Sequence, residues 1–123
     1  MEQNLQRNVL DVARAYPAIE FVLFLPPYSL WFYDYLRGMG PEYIASFASL
    51  RSLLNGEQLP PNVRLVDFQV WEEVVADPRL YKDLTHYSEA VSRQMLEALA
   101  PGGHLPQGIA EDTEMMRDCP LLC

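Results

Sequence analysis

Two short runs of β-favouring apolar residues, separated by helical patterns, constrain the fold more than any other feature. The first run is IEFVLFL at 19–25, and its nearly unbroken apolar character indicates a strand covered on both faces. The second is VRLVDF at 63–68, which Pro60 and Pro61 introduce. Helical sequence between two such strands implies a right-handed crossover between parallel strands. The pattern therefore predicts a short parallel sheet flanked by helices.

Four helices are predicted around these strands, because apolar residues recur there at three- and four-residue spacing. The first covers roughly residues 4–15 and stops before Pro17. The second follows the N-cap Ser29 and ends at Gly38, the third begins at Pro41 and ends near Leu54, and the last follows the N-cap Ser88. The residues expected to face inward are Leu5, Val9, Val12, Ala13 and Tyr16 in the first helix, Ile44, Phe47, Leu50, Leu53 and Leu54 in the third, and Val91, Met95, Leu96 and Leu99 in the last.

This order of elements belongs to the α/β class. We expect residues 1–103 to form a single domain with a partial three-layer α/β/α arrangement of the flavodoxin-like kind. Residues 104–123 are expected to be a tail that lies on the domain or is disordered. Since stable parallel sheets usually contain more than two strands, the chain is expected to be part of something larger or to cover its sheet edges with a partner.

Charge and hydropathy narrow the classes of partner. Nine basic against seventeen acidic residues give a net charge of −8, which would repel phosphate groups, so we expect no nucleic-acid partner. The longest apolar run is far shorter than a membrane span requires, and the N-terminus lacks the apolar centre of a secretion signal. We therefore expect a soluble chain without a membrane span. Cys119 and Cys123 lie too near the end to staple the fold, and we expect no cofactor and no metal.

Asp83 and His86 are the candidate catalytic residues. An aspartate three positions before a histidine can accept the Nδ1 proton of the imidazole, which leaves Nε2 free to take a proton from a nucleophile. Both residues follow the second strand, and open α/β sheets bind ligands beyond the carboxyl ends of their strands. The alternative is that Asp83 caps a turn and His86 packs beside the last helix.

The order of the blocks, with LPPYS after the first strand and YKDLTHYSEAVSRQML after the second, resembles the C-terminal part of SGNH hydrolases. These are serine esterases with polysaccharide O-acetyltransferase relatives, and the resemblance runs from Val9 to Leu99. It implies His86 as the general base and Asp83 as the residue that orients it, acting on an acyl ester or an acetylated sugar. The Gly-Asp-Ser nucleophile block of the family has no counterpart here. The resemblance thus implies half of a hydrolase or O-acyltransferase site, inactive alone, whose nucleophile comes from a missing N-terminal segment or another chain.

Several further residues are candidates for lining a pocket: Tyr28, Ser29, Asp67 and Tyr87. Ser29 is either a helix cap or a nucleophile within reach of His86. The aromatic group Tyr28, Trp31, Phe32, Tyr33 and Tyr35 is either core or a surface for a ligand or a partner. With the open sheet edges, that surface supports an alternative function, a non-catalytic α/β interaction module that binds a protein partner or forms a homo-oligomer.

Overall fold

Within residues 2–56, 59–107 and 109, which a computed structural model describes, the chain is a mixed α/β protein with five helices and a two-stranded parallel sheet. The α/β class and both predicted strands are therefore confirmed. The elements are α1, which covers 2–15 as the segments Glu2–Leu5, Gln6–Leu10 and Asp11–Ala15; β1, Phe21–Leu25; α2, Leu30–Met39; α3, Pro41–Gly56; β2, Val63–Asp67; α4, Glu72–Val75; and α5, Glu89–Leu99.

The two strands lie side by side in parallel register, from Phe21 beside Val63 to Leu25 beside Asp67. The N–H of Phe21 donates to the carbonyl of Asn62 at 2.8 Å, so the odd-numbered residues of β1 are those bonded to β2. Because the strands are parallel, both carboxyl ends lie at the same end of the sheet. That end carries the loops that hold the candidate site.

Alternate residues of the strands contribute to two separate apolar clusters. Val22 and Val66 pack with the α5 side chains, whereas Leu23, Leu25 and Leu65 pack with α1 and α3. Burying one such side chain completely contributes about 1.5–3 kcal/mol. The buried members of the first cluster are Val66, Phe68, Trp71, Val74, Val91, Met95, Ala98 and Ile109, and those of the second are Leu25, Leu54 and Leu65.

Both faces of β1 are packed, as predicted, except at Phe24. Phe24 is 44% exposed, and β1 has one neighbouring strand among the described residues. An apolar run in the sequence indicates a strand that is mostly buried, but it does not predict how many strands lie beside that strand. β1 is therefore an edge strand with an exposed aromatic ring.

The inward face predicted for α1 is partly wrong. Its middle segment Gln6–Leu10 is π-helical and holds more residues in a turn than an α-helix does. The buried face consequently passes from Leu5 to Leu10 and then to Ala13. Val12 and Tyr16, which a regular α-helical period places inside, are exposed.

The inward face predicted for α5 needs one correction. Ser88 caps this helix as predicted, since its hydroxyl oxygen accepts the N–H of Val91. Val91, Met95 and Ala98 are buried, whereas Leu96 is 70% exposed. Leu96 lies about 100° around the helix from Met95, so one narrow stripe cannot contain both side chains.

The segment between β2 and α5 consists largely of short helical elements. It contains 3-10 turns at Phe68–Val70 and Pro78–Leu80 on either side of α4. Asp67 and Asp77 cap these turns by accepting the N–H groups of Gln69 and Arg79. Such caps satisfy donors that a short turn otherwise leaves unpaired.

Part of the predicted tail lies on the domain. Leu105 and Ile109 pack against the cluster around α5. Residues 110–123, including Cys119 and Cys123, lie outside the described part of the chain, so for them both alternatives, a tail on the domain or a disordered one, stay predictions. No described helix combines the length and the apolar character needed to cross a lipid bilayer.

Candidate functional site

Asp83 and His86 lie in a turn that an antiparallel bridge closes. Tyr81 and Tyr87 pair across the turn, where the N–H of Lys82 donates to the carbonyl of His86 at 2.8 Å. The N–H of Ser88 then donates to the carbonyl of Leu80 at 2.7 Å. Because both ends of the turn are paired, its few residues are held in one arrangement just before α5 begins.

The carboxylate of Asp83 organises this turn through both of its oxygens. Oδ1 accepts the N–H groups of Thr85 and His86 at 2.9 and 2.8 Å, so the predicted turn cap is present. Oδ2 lies 2.7 Å from Nδ1 of His86. One carboxylate thus caps the turn and fixes the direction of the imidazole.

The charge of Asp83 determines which nitrogen of His86 carries the proton in their hydrogen bond. The N–H groups of Thr85 and of His86 hold the pKa of the Asp83 carboxyl well below its usual range, and the imidazole adds to this effect. Asp83 is therefore ionised at neutral pH, and Nδ1 of His86 carries the proton in the hydrogen bond. When the imidazole is neutral, this arrangement leaves Nε2 as the acceptor, in a ring whose side chain is 76% exposed.

The lowered pKa of Asp83 makes the turn acid-sensitive. A carboxyl whose pKa is lower in the native state than in the unfolded state stabilises the fold above its unfolded pKa of about 4. This contribution is lost as the pH falls below that value, through the lowered native pKa. We expect the amide signals of Thr85 and His86 to move together in an NMR titration below about pH 4. In Asp83→Asn they should not titrate there, and a titration of these amides that persists in this variant would contradict the assignment.

Ser29 attaches the turn to the domain. Its hydroxyl donates to the carbonyl of Leu84 at 2.7 Å, and the same oxygen accepts the N–H of Phe32 at the start of α2. Ser29 is 2% exposed, so its hydroxyl is enclosed by these partners. The helix-cap role is confirmed, and the hydroxyl proton is used in a structural hydrogen bond.

Ser29→Ala is expected to lower the free energy of unfolding by about 1–2 kcal/mol, the usual cost of losing an N-cap. The same substitution removes the hydroxyl's bond to Leu84 and leaves only the 3.4 Å bond from the Ser29 N–H, so the amides from Asp83 to His86 should also exchange faster with solvent. Chemical denaturation and hydrogen exchange measure the two effects. Ser88→Ala is the matched control, because it removes the cap of α5 but has no bond to Leu84. Equal rates of amide exchange in the turn of Ser29→Ala and Ser88→Ala would argue against an attachment of the turn by Ser29.

An open cleft of about 600 Å³ borders the imidazole. Polar lining comes from the turn and α5, and aromatic lining comes from β1, α2, α3 and the 26–29 loop. The rings of Tyr28, Phe32 and Phe47 meet edge to face with centroids 4.9–6.2 Å apart, a favourable geometry for aromatic pairs. The lining residues are Phe24, Pro26, Tyr28, Phe32, Phe47, Thr85, His86, Tyr87 and Ser92.

Of the candidate pocket residues, the structure places Tyr28 and Tyr87 in this cleft with His86. Burial raises the pKa of the Tyr87 phenol, and the neighbouring phenol of Tyr28 adds to the rise. Both burial and Tyr87 likewise raise the pKa of Tyr81, whose hydroxyl donates to the carbonyl of Pro27 at 2.6 Å. The phenols of Tyr81 and Tyr87 therefore remain protonated at neutral pH, and that of Tyr81 serves as a hydrogen-bond donor.

The other candidate pocket residues lie elsewhere. Ser29 borders a smaller depression of about 260 Å³ that also contains Asp83, Trp31 and Leu84. Asp67 is 2% exposed and forms an ion pair with the buried Arg51, Nη1 to Oδ2 at 2.7 Å. Burial raises the pKa of the Asp67 carboxyl, and the charge of Arg51 opposes that rise. Asp67 is thus part of a buried ion pair and does not border the cleft of His86.

The aromatic group divides between the two predicted roles. Tyr33 is buried, Tyr28 and Phe32 border the cleft, and Trp31 and Tyr35 are exposed. Within α2 the direction of each ring follows from the helical turn, whereas Tyr28 lies in the loop before the helix. Neither the core interpretation nor the surface interpretation describes the whole group.

Sequence reasoning missed several residues of this region. Phe24, Phe47 and Ser92 border the cleft, and Arg51 holds Asp67 and also donates to Oε1 of Gln69 at 2.8 Å. The signal for Arg51 was present, because an arginine between the apolar positions of α3 interrupts an inward stripe. The cleft residues come from separate elements, so no local pattern could have joined them.

Among residues 2–56, 59–107 and 109, no group of three or more histidine, cysteine or acidic side chains is placed to hold a metal ion. Comparison with known proteins gives no relative: no protein-family model matches the chain, and no curated protein or solved structure matches it significantly. The resemblance to SGNH hydrolases therefore rests on the residues of this chain alone.

Proposed function

We propose that Asp83 and His86 form a general-base pair for acyl transfer at the edge of the aromatic cleft. The supporting observation is the 2.7 Å contact between Nδ1 of His86 and Oδ2 of Asp83, in an exposed ring that borders the cleft. A carboxylate that holds an imidazole in this way provides the base of hydrolytic sites on unrelated folds. With this role goes the finer fold proposal, that the chain is part of a three-layer α/β/α domain of the SGNH kind.

The proposed reaction moves one proton through His86. Nε2 takes the proton of a hydroxyl nucleophile while the hydroxyl oxygen attacks an ester carbonyl, and the Asp83 carboxylate stabilises the imidazolium cation that forms. When the tetrahedral intermediate collapses, Nε2 returns the proton to the leaving alkoxide. The acyl group ends on the nucleophile's oxygen and His86 is neutral again.

The nucleophilic hydroxyl comes from another segment or another chain. Ser29 is buried and donates to Leu84, and Ser92 donates to the carbonyl of Ser88 at 3.3 Å within its own helix. No described contact joins either hydroxyl to His86. The chain by itself is therefore expected to hydrolyse short acyl esters no faster than His86→Ala does.

The experiment supplies the hydroxyl from outside. The chain is mixed with p-nitrophenyl acetate and an excess of a primary alcohol, and the acetate ester of the alcohol is measured. We expect ester formation above the buffer rate, which His86→Ala removes and Asp83→Asn lowers at least about tenfold. His104→Ala is the matched control, because His104 is exposed and lies outside the lining of the cleft.

Two results would contradict the proposal. One is ester formation that survives His86→Ala, and the other is a wild-type rate equal to that of buffer. A second measurement tests the pair directly, because ¹⁵N NMR distinguishes the imidazole tautomers. The Nδ1–H form should dominate at neutral pH in the wild type and lose its preference in Asp83→Asn.

A further inference from the structure

Within the described part of the chain, the edge of β1 that faces away from β2 carries backbone groups without a partner. Since Phe21 donates to Asn62, Val22 and Phe24 point their N–H and C=O groups to the other side. Among residues 2–56, 59–107 and 109, no hydrogen bond reaches these groups. A free strand edge of this kind is a template for pairing with another strand.

The side chains along this edge suit an apolar neighbour. The strand FVLFL contains no charged residue, so pairing of two copies brings no like charges into direct contact along it. Phe24 is 44% exposed, and part of its surface lines the cleft of His86. Pro26 follows in the same alternation and has no N–H, so the edge offers no further donor beyond Phe24.

We infer that β1 pairs with β1 of a second copy of this chain, antiparallel and centred on Leu23. In this register Val22 of each copy lies opposite Phe24 of the other, and each such pair exchanges N–H and C=O hydrogen bonds in both directions. All the unpaired groups of Val22 and Phe24 are then satisfied. The two sheets become one continuous sheet, with β2 of each copy on the outside.

Symmetry selects this arrangement over a parallel one. Two identical edges that pair antiparallel are related by a two-fold axis, so the assembly closes as a dimer. Parallel pairing of the same two edges uses different groups on each copy, so the two copies would not be equivalent. The antiparallel dimer also places each exposed Phe24 ring beside Val22 of the other copy, where opposite side chains share one face.

The test uses the full chain over a range of concentrations from low micromolar to near millimolar. Light scattering measures the mass, and amide exchange followed by NMR reports individual residues. We expect a dimer at high concentration in which the Val22 and Phe24 amides exchange about tenfold slower or more than in the monomer. In a mixture of labelled and unlabelled chains, an isotope-filtered NOE should join the Leu23 α protons of the two copies.

Phe24→Lys is expected to weaken the dimer at least tenfold, because each copy would place an ammonium group beside the apolar strand of the other. Leu96→Lys is the matched control, since Leu96 is also an exposed apolar residue but lies on α5. The Leu96→Lys variant should dimerise as the wild type does. If Phe24→Lys does not fold, the wild-type exchange and NOE measurements decide the question.

A monomer at every concentration would overturn the inference. So would a dimer in which the Val22 and Phe24 amides stay unprotected, or one whose NOEs join other surfaces. The inference uses neither Asp83 nor His86, although Phe24 also lines the cleft that His86 borders. His86→Ala is expected to dimerise normally, so either proposal can fail without the other.

Discussion

Arg51→Met is expected to lower the free energy of unfolding by about 3–5 kcal/mol, the usual cost of removing one partner of a buried ion pair. The side chains of Arg51 and Asp67 are 5% and 3% exposed, so water cannot replace the lost guanidinium. The substitution also removes the donor to Gln69, which is itself buried. Urea denaturation followed by circular dichroism measures the loss.

Two controls separate the buried charge from the loss of the side chain. The double variant Arg51→Met/Asp67→Asn keeps an oxygen for the N–H of Gln69 and leaves no buried charge, so it should be more stable than Arg51→Met alone. Arg14→Met removes one partner of an exposed pair with Asp11, and its cost should lie within about 1 kcal/mol. If Arg51→Met loses no more free energy of unfolding than Arg14→Met does, the ion pair of Arg51 and Asp67 contributes little.

The pH dependence of Arg51→Met gives a further check. Burial raises the pKa of Asp67 and Arg51 opposes the rise, so without Arg51 the native pKa rises further. A carboxyl with a raised native pKa contributes stability in full below its unfolded pKa of about 4, and loses it as the pH rises through the native value. The stability lost by the variant should therefore be smaller near pH 4 than near pH 7.

Met95→Ala is expected to cost about 2–5 kcal/mol, whereas the neighbouring Leu96→Ala should stay within about 0.5 kcal/mol of the wild type. Met95 is 3% exposed and packs in the cluster around α5, so its loss leaves a cavity. Leu96 is 70% exposed, so its truncation removes little contact. Denaturation of both variants under the same conditions measures the difference.

This pair is a direct test of the orientation of α5. The two residues are adjacent and similar in size, and both substitutions leave the same alanine, so helix propensity contributes almost equally to the two. A larger loss in Leu96→Ala than in Met95→Ala would mean that the helix is rotated relative to the sheet. The assignment of Val91, Met95 and Ala98 to the buried face of α5 would then be wrong.

Much of the candidate site follows from local sequence. The Asp-x-x-His spacing places a carboxylate within reach of Nδ1, because four residues in a tight turn bring the first and last side chains together. Ser29 and Ser88 were predicted as helix caps for a similarly local reason, the affinity of a hydroxyl for the first free N–H groups of a helix. These contacts depend on neighbours in the chain, so the sequence contains the information needed to predict them.

The sequence could not predict the cleft, because the residues that line it come from separate elements. Phe24, Phe47 and His86 meet only after β1, α3 and the turn have packed. Asp67 shows the opposite outcome, since its place at the end of a strand suggested a pocket. The partner that keeps it in the interior is Arg51, sixteen residues earlier on a different element.

The amino-acid order alone determined the two strands, the helix caps and the pairing of Asp83 with His86, because each depends on spacing within a few residues. The tertiary structure decided which faces are buried, where the open edge of β1 lies and what surrounds the imidazole. Helical period cannot foresee the π-helical turn that rotates α1 or the choice of Met95 over Leu96 in α5. Those outcomes depend on how apolar surfaces from distant segments fit together, and that fit exists only in the folded chain.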